Sequence, residues 1–383
     1  MRIALVVDHP LRDLPSLVLL ACRLCQHGVT CHLVPLNLMG EIWMLAPDFV
    51  LLNYLNVANQ KLVRQLLDSG IKVGVLDTEG AARLEIAAKI LAPDPELRFG
   101  ISFYCCWGTK LREHAKREGW YREEQLIVTG SPRFDFYVHP WRDAALQASN
   151  YAESYARPFV LIMGNFPLSN PLFKSPEQEA NWLIESLGFN RDYVMNWQRI
   201  QSHTKTALVD LCKSSASHFR QVNFVYRPHP FEDSETYRGL EDGLANLHFV
   251  KKGPVYGWLL RASAVIQRSC FTAVEAVMAG IPALSPAWIP TPANLVIAED
   301  VSIACETEDD LLQVLESVLA GDFKQPEYIQ HRLEGVIEEW FYRTDGRAHE
   351  RVADCIMSSL PDDGGSIRYG SAERWPTAEA RLR

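Results

Sequence analysis

The sequence predicts an α/β chain folded as two doubly wound parallel sheets in succession. Short, continuous apolar runs bounded by turn residues recur along the chain, as strands covered on both faces require. Amphipathic helical stretches alternate with these runs, which is the rhythm of βαβ units. That rhythm breaks at a polar connector over about 137–157 and then restarts, so the 383 residues divide into two halves.

In the first half, Ile3-Ala-Leu-Val-Val7 is a strand ended by Asp8-His9-Pro10. A helix from Pro15 to His27 stops at Gly28. Strands follow at Val29–Val34 and Phe49–Leu52, then a helix over 59–69 closed by Gly70. Lys72–Leu76 is the fourth strand and ends in Asp77-Thr78-Glu79-Gly80. Ile101–Cys106 and Gln125–Val128 are the fifth and sixth, with a helix over 109–118 between them. The second half opens with Phe159–Met163, ending in Gly164-Asn165. A long helix spans about 192–215, and a strand at Val222–Tyr226 runs into Arg227-Pro228-His229-Pro230. The prolines fix φ and remove donors, so this turn leaves the sheet. Strands at Leu247–Val250, Ala264–Gln267, Pro282–Leu284 and Val301–Cys305 complete the set, with helices over 255–261, 308–319, 326–340 and 347–360. The domains expected are 1–150 and 151–345. A helix over 346–360 is expected to cross back to the first domain, and the tail 361–383, without apolar period, to be disordered.

A net charge of −9 argues against a general nucleic-acid binder. The nine cysteines are scattered, and the Cys22/Cys25 pair has no second pair to complete a zinc site, so all are expected to be reduced core thiols. No signal peptide precedes the first strand, and the run Leu14–Leu24 is too short to span a bilayer and contains Arg23. A cytoplasmic protein is expected. The basic stretch Lys110–Arg122, with Trp120 and Tyr121, is either a solvated helix or a peripheral contact with the inner membrane, where each base near the surface contributes about 1 kcal/mol.

Polar clusters sit at five strand ends, where ligands bind in open α/β sheets. Arg227 and His229 suit an anionic group such as a phosphate. Arg268-Ser269-x-x-Thr272 ends a neighbouring strand and opens a helix; Ser269 either caps that helix or donates to the same phosphate. Glu275 is either a ribose ligand or a solvated helix carboxylate. Gly164-Asn165 brings backbone to the same anion. In the first half, Asp77 and Glu79 suit a nucleophile or general base, sharing one face if the strand continues; the alternative is that Asp77 caps a helix near Ala81. His9 and Arg12 either bind an acceptor or serve a cap and turn. Arg133 and Asp135 are read as a mutual pair. GxGxxG, P-loop, HExxH, DxD and GxSxG patterns are all missing. Two Rossmann-like doubly wound domains with a cleft between them constitute the GT-B architecture.

Five stretches together resemble the surface carbohydrate biosynthesis proteins, relatives of bacterial GT-B glycosyltransferases that use CMP-activated acidic sugars, including Kdo transferases. They are Leu76-Asp-Thr-Glu-Gly80, Val128-Thr-Gly-Ser-Pro-Arg-Phe-Asp135, Gly164-Asn-Phe166, Tyr226-Arg-Pro-His-Pro230 with Glu232, and Ser269-x-x-Thr272-x-x-Glu275-Ala276-x-x-x-Gly280-x-Pro282. The resemblance implies a CMP-sugar donor whose phosphate is placed by His229 and Pro230 with Ser269 and Thr272. Glu275 would hold the nucleotide, the first half would take a glycan or lipid-linked acceptor, and Asp77 or Glu79 would be the catalytic carboxylate. It implies no cofactor and no metal, since cations, hydroxyls and a helix dipole suffice for one departing phosphate. Two rival readings remain: a phosphotransferase using CDP-glycerol or a similar donor, and a GT-B scaffold that binds without turnover.

Overall fold

The computed structural model describes residues 1–80, 88–153, 155, 158–291 and 296–360. The expected disordered tail and the expected helix start at Ala81 lie outside these residues. The chain forms two compact units: Met1–Trp141 with the residues from Ile337 onward, and Arg142–Val336. Each contains a six-stranded sheet whose strand pairs are all parallel. All twelve expected strands are present.

In the first unit the strands are β1 (Arg2–Val7), β2 (Thr30–Pro35), β3 (Phe49–Leu52), β4 (Lys72–Leu76), β5 (Phe103–Cys106) and β6 (Leu126–Val128). Their order is β2-β1-β3-β4-β5-β6, so the chain changes direction between β1 and β3. The helices are α1 (Leu14–Gln26), α2 (Gln60–Asp68), α3 (Pro95–Gly100) and α4 (Thr109–Arg117), and α5 (Trp141–Gln147) crosses the boundary between units. A ten-residue 3-10 stretch, Leu36–Leu45, went unforeseen because its polar breaks match neither period.

In the second unit the strands are β7 (Phe159–Met163), β8 (Asn223–Arg227), β9 (Leu247–Phe249), β10 (Ala264–Gln267), β11 (Ala283–Pro286) and β12 (Ile303–Cys305), in the order β12-β11-β10-β7-β8-β9. The direction reverses between β7 and β10. Its helices are α6 (Pro176–Glu185), α7 (Arg191–His218), α8 (Val255–Leu259), α9 (Thr272–Met278), α10 (Val296–Asp300), α11 (Glu308–Ala320) and α12 (Glu327–Val336). The helix expected over 326–340 ends at Val336 and continues as a π-turn, Ile337–Phe341, which belongs to the first unit.

A last helix, α13 (Ala348–Ser359), completes the first unit. Its Val352, Ala353 and Ile356 are fully buried in one core with Ile3, Leu5, Leu20 and Leu24. Asp135 clamps its start. The carboxylate accepts from Ala348 N at 3.1 Å, His349 N at 3.0 Å and His349 Nδ1 at 2.8 Å. This anion at a helix N-terminus replaces the expected pair with Arg133. The π-turn packs against α4 so closely that a Cβ at Gly108 would lie 2.4 Å from Glu339 O, which only glycine allows.

Two further expectations change. Cys22 and Cys25 are exposed rather than core thiols, although all nine cysteines are free. Trp120 and Tyr121 are buried, and the α4 cations have carboxylate partners: Lys110 pairs with Glu339 at 2.6 Å and Lys116 with Glu123 at 2.7 Å. These aromatics therefore cannot anchor the segment in a membrane interface. No helix among the described residues is long and apolar enough to cross a membrane.

Candidate functional site

In the second unit three strand tips meet beside the switch point. β7 lies between β8 and β10, with Met163 opposite Arg227 on one side and Gln267 on the other. Gly164 N donates to Arg227 O at 2.8 Å, and Asn165 Nδ2 donates to Ser269 O at 3.0 Å. A Cβ at Gly164 would sit 2.9 Å from Tyr226 Oη and 3.3 Å from Pro228 Cα, so glycine is required for this approach. Gly164-Asn165, Arg227–Pro230 and Arg268-Ser269 are thus brought together.

Within this group the roles differ from the expectations. Arg227 is buried and donates to Lys252 O at 2.6 Å and Gly253 O at 2.9 Å, with its guanidinium 5.3 Å over the Trp258 ring. Burial pushes its pKa down to about 10, still cationic at neutral pH. It ties the β8 tip to the Lys252–Gly253 turn and makes no pair with Glu232. Glu232, wholly buried, fixes the loop by accepting from His229 N at 2.8 Å, Phe166 N at 3.0 Å and the Tyr237 hydroxyl. His229 and Pro230 are half-buried. His229 Nδ1 accepts from Phe231 N at 3.2 Å, so the neutral ring carries its proton on Nε2, a donor suited to an anion.

Ser269 does not cap α9. That helix begins three residues later, and its cap position is Phe271, with no side-chain cap. Ser269 instead sits in the left-handed region at φ 53°, and its N–H donates to Glu299 Oε1 at 2.7 Å. The same carboxylate accepts from Ser285 Oγ at 2.6 Å and pairs with Arg268 at 2.8 Å. Thr272 is buried against Cys270 Sγ at 3.0 Å. Glu275 is wholly buried, which removes its reading as a solvated carboxylate. Glu299 was missed, because its link to Ser269 is tertiary and nothing near it in sequence marks it.

In the first unit β4 ends at Leu76, so Asp77 and Glu79 lie in a turn and not on a continued strand face. Asp77 Oδ1 accepts from Glu79 N at 2.7 Å, and Oδ2 accepts from Tyr104 Oη at 2.5 Å. Burial is the largest influence on Asp77 and pushes its carboxyl pKa up, against the lowering effect of the Tyr104 hydrogen bond. Glu79 is mostly exposed and pairs with Arg12 at 2.7 Å. Arg12 also pairs with Asp8 and Asp13 and is held by three carboxylates. His9 repeats the geometry of His229: its Nδ1 accepts from Leu11 N at 3.2 Å, again leaving the proton on Nε2.

A small cavity, partly open to solvent, lies against this edge of the first sheet. Its walls include Asp77, Thr78, Trp107, Ser131, Arg133 and Asn53. Asn53 was missed. It is the first polar residue after the apolar run Phe49–Leu52, the same signal that marked Asp8 and Asp77.

No protein-family model matches the sequence, and no curated protein sequence matches it. Solved structures do. The chain is similar to UDP-GlcNAc 2-epimerase from Neisseria meningitidis bound to UDP-GlcNAc, with 13% identity, coverage of 94% of this chain and 100% of that one, and a TM-score of 0.54. It is similar to UDP-GlcNAc 2-epimerase from Methanocaldococcus jannaschii, with 11% identity, the same coverage and a TM-score of 0.56. It is also similar to the wall teichoic acid polymerase TagF soaked with CDPG, with 11% identity, coverage of 94% and 88%, and a TM-score of 0.58. At such identities the likeness speaks to architecture alone, and with the two six-stranded parallel sheets it establishes the GT-B fold.

Proposed function

We propose that this chain is a metal-independent glycosyltransferase of surface-carbohydrate synthesis. It would move an acidic sugar, Kdo or a related ulosonic acid, from a CMP donor to a glycan or lipid-linked acceptor. The observation that carries the reading is the meeting of the strand tips: the turn with His229, whose Nδ1 accepts from Phe231 N, follows β8 beside the β7 tip, where Asn165 donates to Ser269 O. One phosphate is the anion that such a small group of donors suits. In this reading the second unit binds the nucleotide sugar and the first binds the acceptor. Arg227 and Glu232 act by holding the His229-Pro230 turn in place.

Asp77 is the better of the two carboxylates for base chemistry, because its raised pKa favours accepting a proton. The acceptor hydroxyl would attack the anomeric carbon and pass its proton to Asp77. The bond from that carbon to the CMP phosphate oxygen would break, leaving the charge on the phosphate. Glu79, paired to Arg12, then positions the turn.

A second reading, transfer of a phosphoglycerol group from CDP-glycerol, is favoured by one observation: His9 and His229 occupy matching turns in the two units. Calorimetric titration with CMP, CMP-Kdo, CMP-sialic acid and CDP-glycerol separates the two. CMP-sugar binding that falls about tenfold or more, ~1.4 kcal/mol, in His229→Ala is expected. Preference for CDP-glycerol would sink the CMP-sugar reading. Unchanged binding in His229→Ala would remove the site.

A further inference from the structure

Of the nine cysteines six are buried, and the three that are not lie together: Cys22, Cys25 and Cys31. The cause is local in sequence. Cys22 and Cys25 are about one turn apart near the end of α1, so they share one side of it. Gly28, at φ 77°, closes the helix, and the chain enters β2 at once, with Cys31 its second residue. Cys31 is in register with Ile3, and both lie against the core of Leu17, Leu20 and Leu24. Cys31 therefore stands on the sheet face that α1 covers, half-buried beside the exposed Cys25. Its thiol is in hydrogen-bonding contact with that of Cys25 and within electrostatic reach of Cys22. Cys105 and Cys355 make a second thiol contact, but both of them are buried.

Disulfide exchange needs one sulfur that a reagent can reach and a second that can displace the reagent. The exposed Cys25 and the half-buried Cys31 supply both. We propose that Cys25 and Cys31 form a reversible modification site for small disulfides of the glutathione class, closing to an intramolecular disulfide. The Cys25 thiolate attacks one sulfur of the small disulfide. A new S–S bond forms to Cys25, the reagent's own S–S bond breaks, and the released thiolate takes up the proton that Cys25 lost to water. The Cys31 sulfur then bonds to Cys25 Sγ, and the second small thiol leaves with the Cys31 proton. The cysteine pair loses two electrons and the small disulfide, now two thiols, gains them. Burial, and then the Cys25 thiol, push Cys31 up to about 12, so Cys25 is the sulfur that reacts first. Once Cys25 is masked, its hold on the Cys31 proton is gone, and the first step eases the second. The pair lies at the start of β2, the end of the sheet away from the strand tips. The inference therefore does not rest on the glycosyl-transfer reading.

Equilibrating the reduced full chain with mixtures of oxidised and reduced glutathione tests this. Remaining thiols are alkylated in denaturant, and the chain is cut with trypsin for mass spectrometry. Cleavage after Arg23 and Lys61 puts Cys25 and Cys31 in one peptide, 24–61, and leaves Cys22 in the one before it. The 24–61 peptide should appear without alkylation and two hydrogens lighter than its dithiol form, and dithiothreitol should reverse this. In Cys31→Ser, Cys25 should accumulate as the glutathione mixed disulfide. In Cys25→Ser, which changes an exposed side chain, Cys31 should remain an alkylatable thiol. The proposal is overturned if Cys25 and Cys31 are both alkylated at every glutathione ratio, if the disulfide joins Cys22 to either of them, or if the wild type stops at the mixed disulfide. It is also overturned if Cys31 takes up glutathione in Cys25→Ser, or if the buried Cys105 and Cys355 oxidise before the exposed pair.

Discussion

Asp77 is held in a state that costs the folded chain. Burial raises its pKa above the ordinary 3.8, so the folded protein holds this proton more tightly than the unfolded chain. As pH rises past 3.8 the unfolded carboxyl ionises first, and the folded state loses stability until Asp77 itself ionises. Asp77→Asn cannot ionise, and its amide can still accept from Glu79 N and donate to Tyr104 Oη. It should therefore melt higher than wild type at pH 7, on the order of 2–4 °C, with the gain shrinking toward pH 4. Thermal unfolding across that range checks it; a gain that grows toward acid would contradict the assignment. If Asp77 is the general base of the proposed transfer, that activity should fall about a hundredfold or more in the same variant. The sequence marked Asp77 and Glu79 equally. They parted only when the turn sent one into the cavity and the other out to Arg12.

At the scale of elements, the strands were legible because both faces of each sheet are covered, which forces continuous apolar runs. The strand tips were legible because those runs stop abruptly at polar residues. What binds each tip was not. Ser269 read as either a helix cap or a phosphate donor, yet it sits outside the helix at a left-handed φ with its N–H on the Glu299 carboxylate. Arg227 read as an anion ligand, yet two carbonyls hold it. Such contacts join residues 25 to 30 positions apart in sequence, beyond any local pattern. Glu299 also gives a prediction. If a donor phosphate approaches Ser269, it meets a carboxylate already on the Ser269 N–H. Glu299→Gln removes that charge and frees Arg268, so CMP affinity should rise roughly fivefold, ~1 kcal/mol. Calorimetry measures it, and weaker CMP binding would place the phosphate elsewhere.

At the scale of the whole molecule, the first unit is built from both ends of the chain. Val352, Ile356 and Leu360 are buried in its core. Their burial contributes about 5–8 kcal/mol, comparable to the full stability of a domain. A chain ending after Val336 should therefore lose the calorimetric transition of the first unit and keep that of Arg142–Val336. Two intact transitions would show that α13 is dispensable. The twelve strands and the restart were readable as periodicity. The Asp135 clamp was not, since it spans more than 200 positions and joins a carboxylate in the 3-10 turn Pro132–Tyr137 to a helix start.

The same arrangement sets an order of events during synthesis. The second unit is contiguous and can complete its core as soon as Val336 has left the ribosome. The first unit, although made first, must wait for α13. At 5–20 residues per second, the roughly 200 residues between its two parts keep its apolar face open for on the order of ten to forty seconds. Through that interval the face that α13 will cover is open to chaperones and to neighbouring nascent chains.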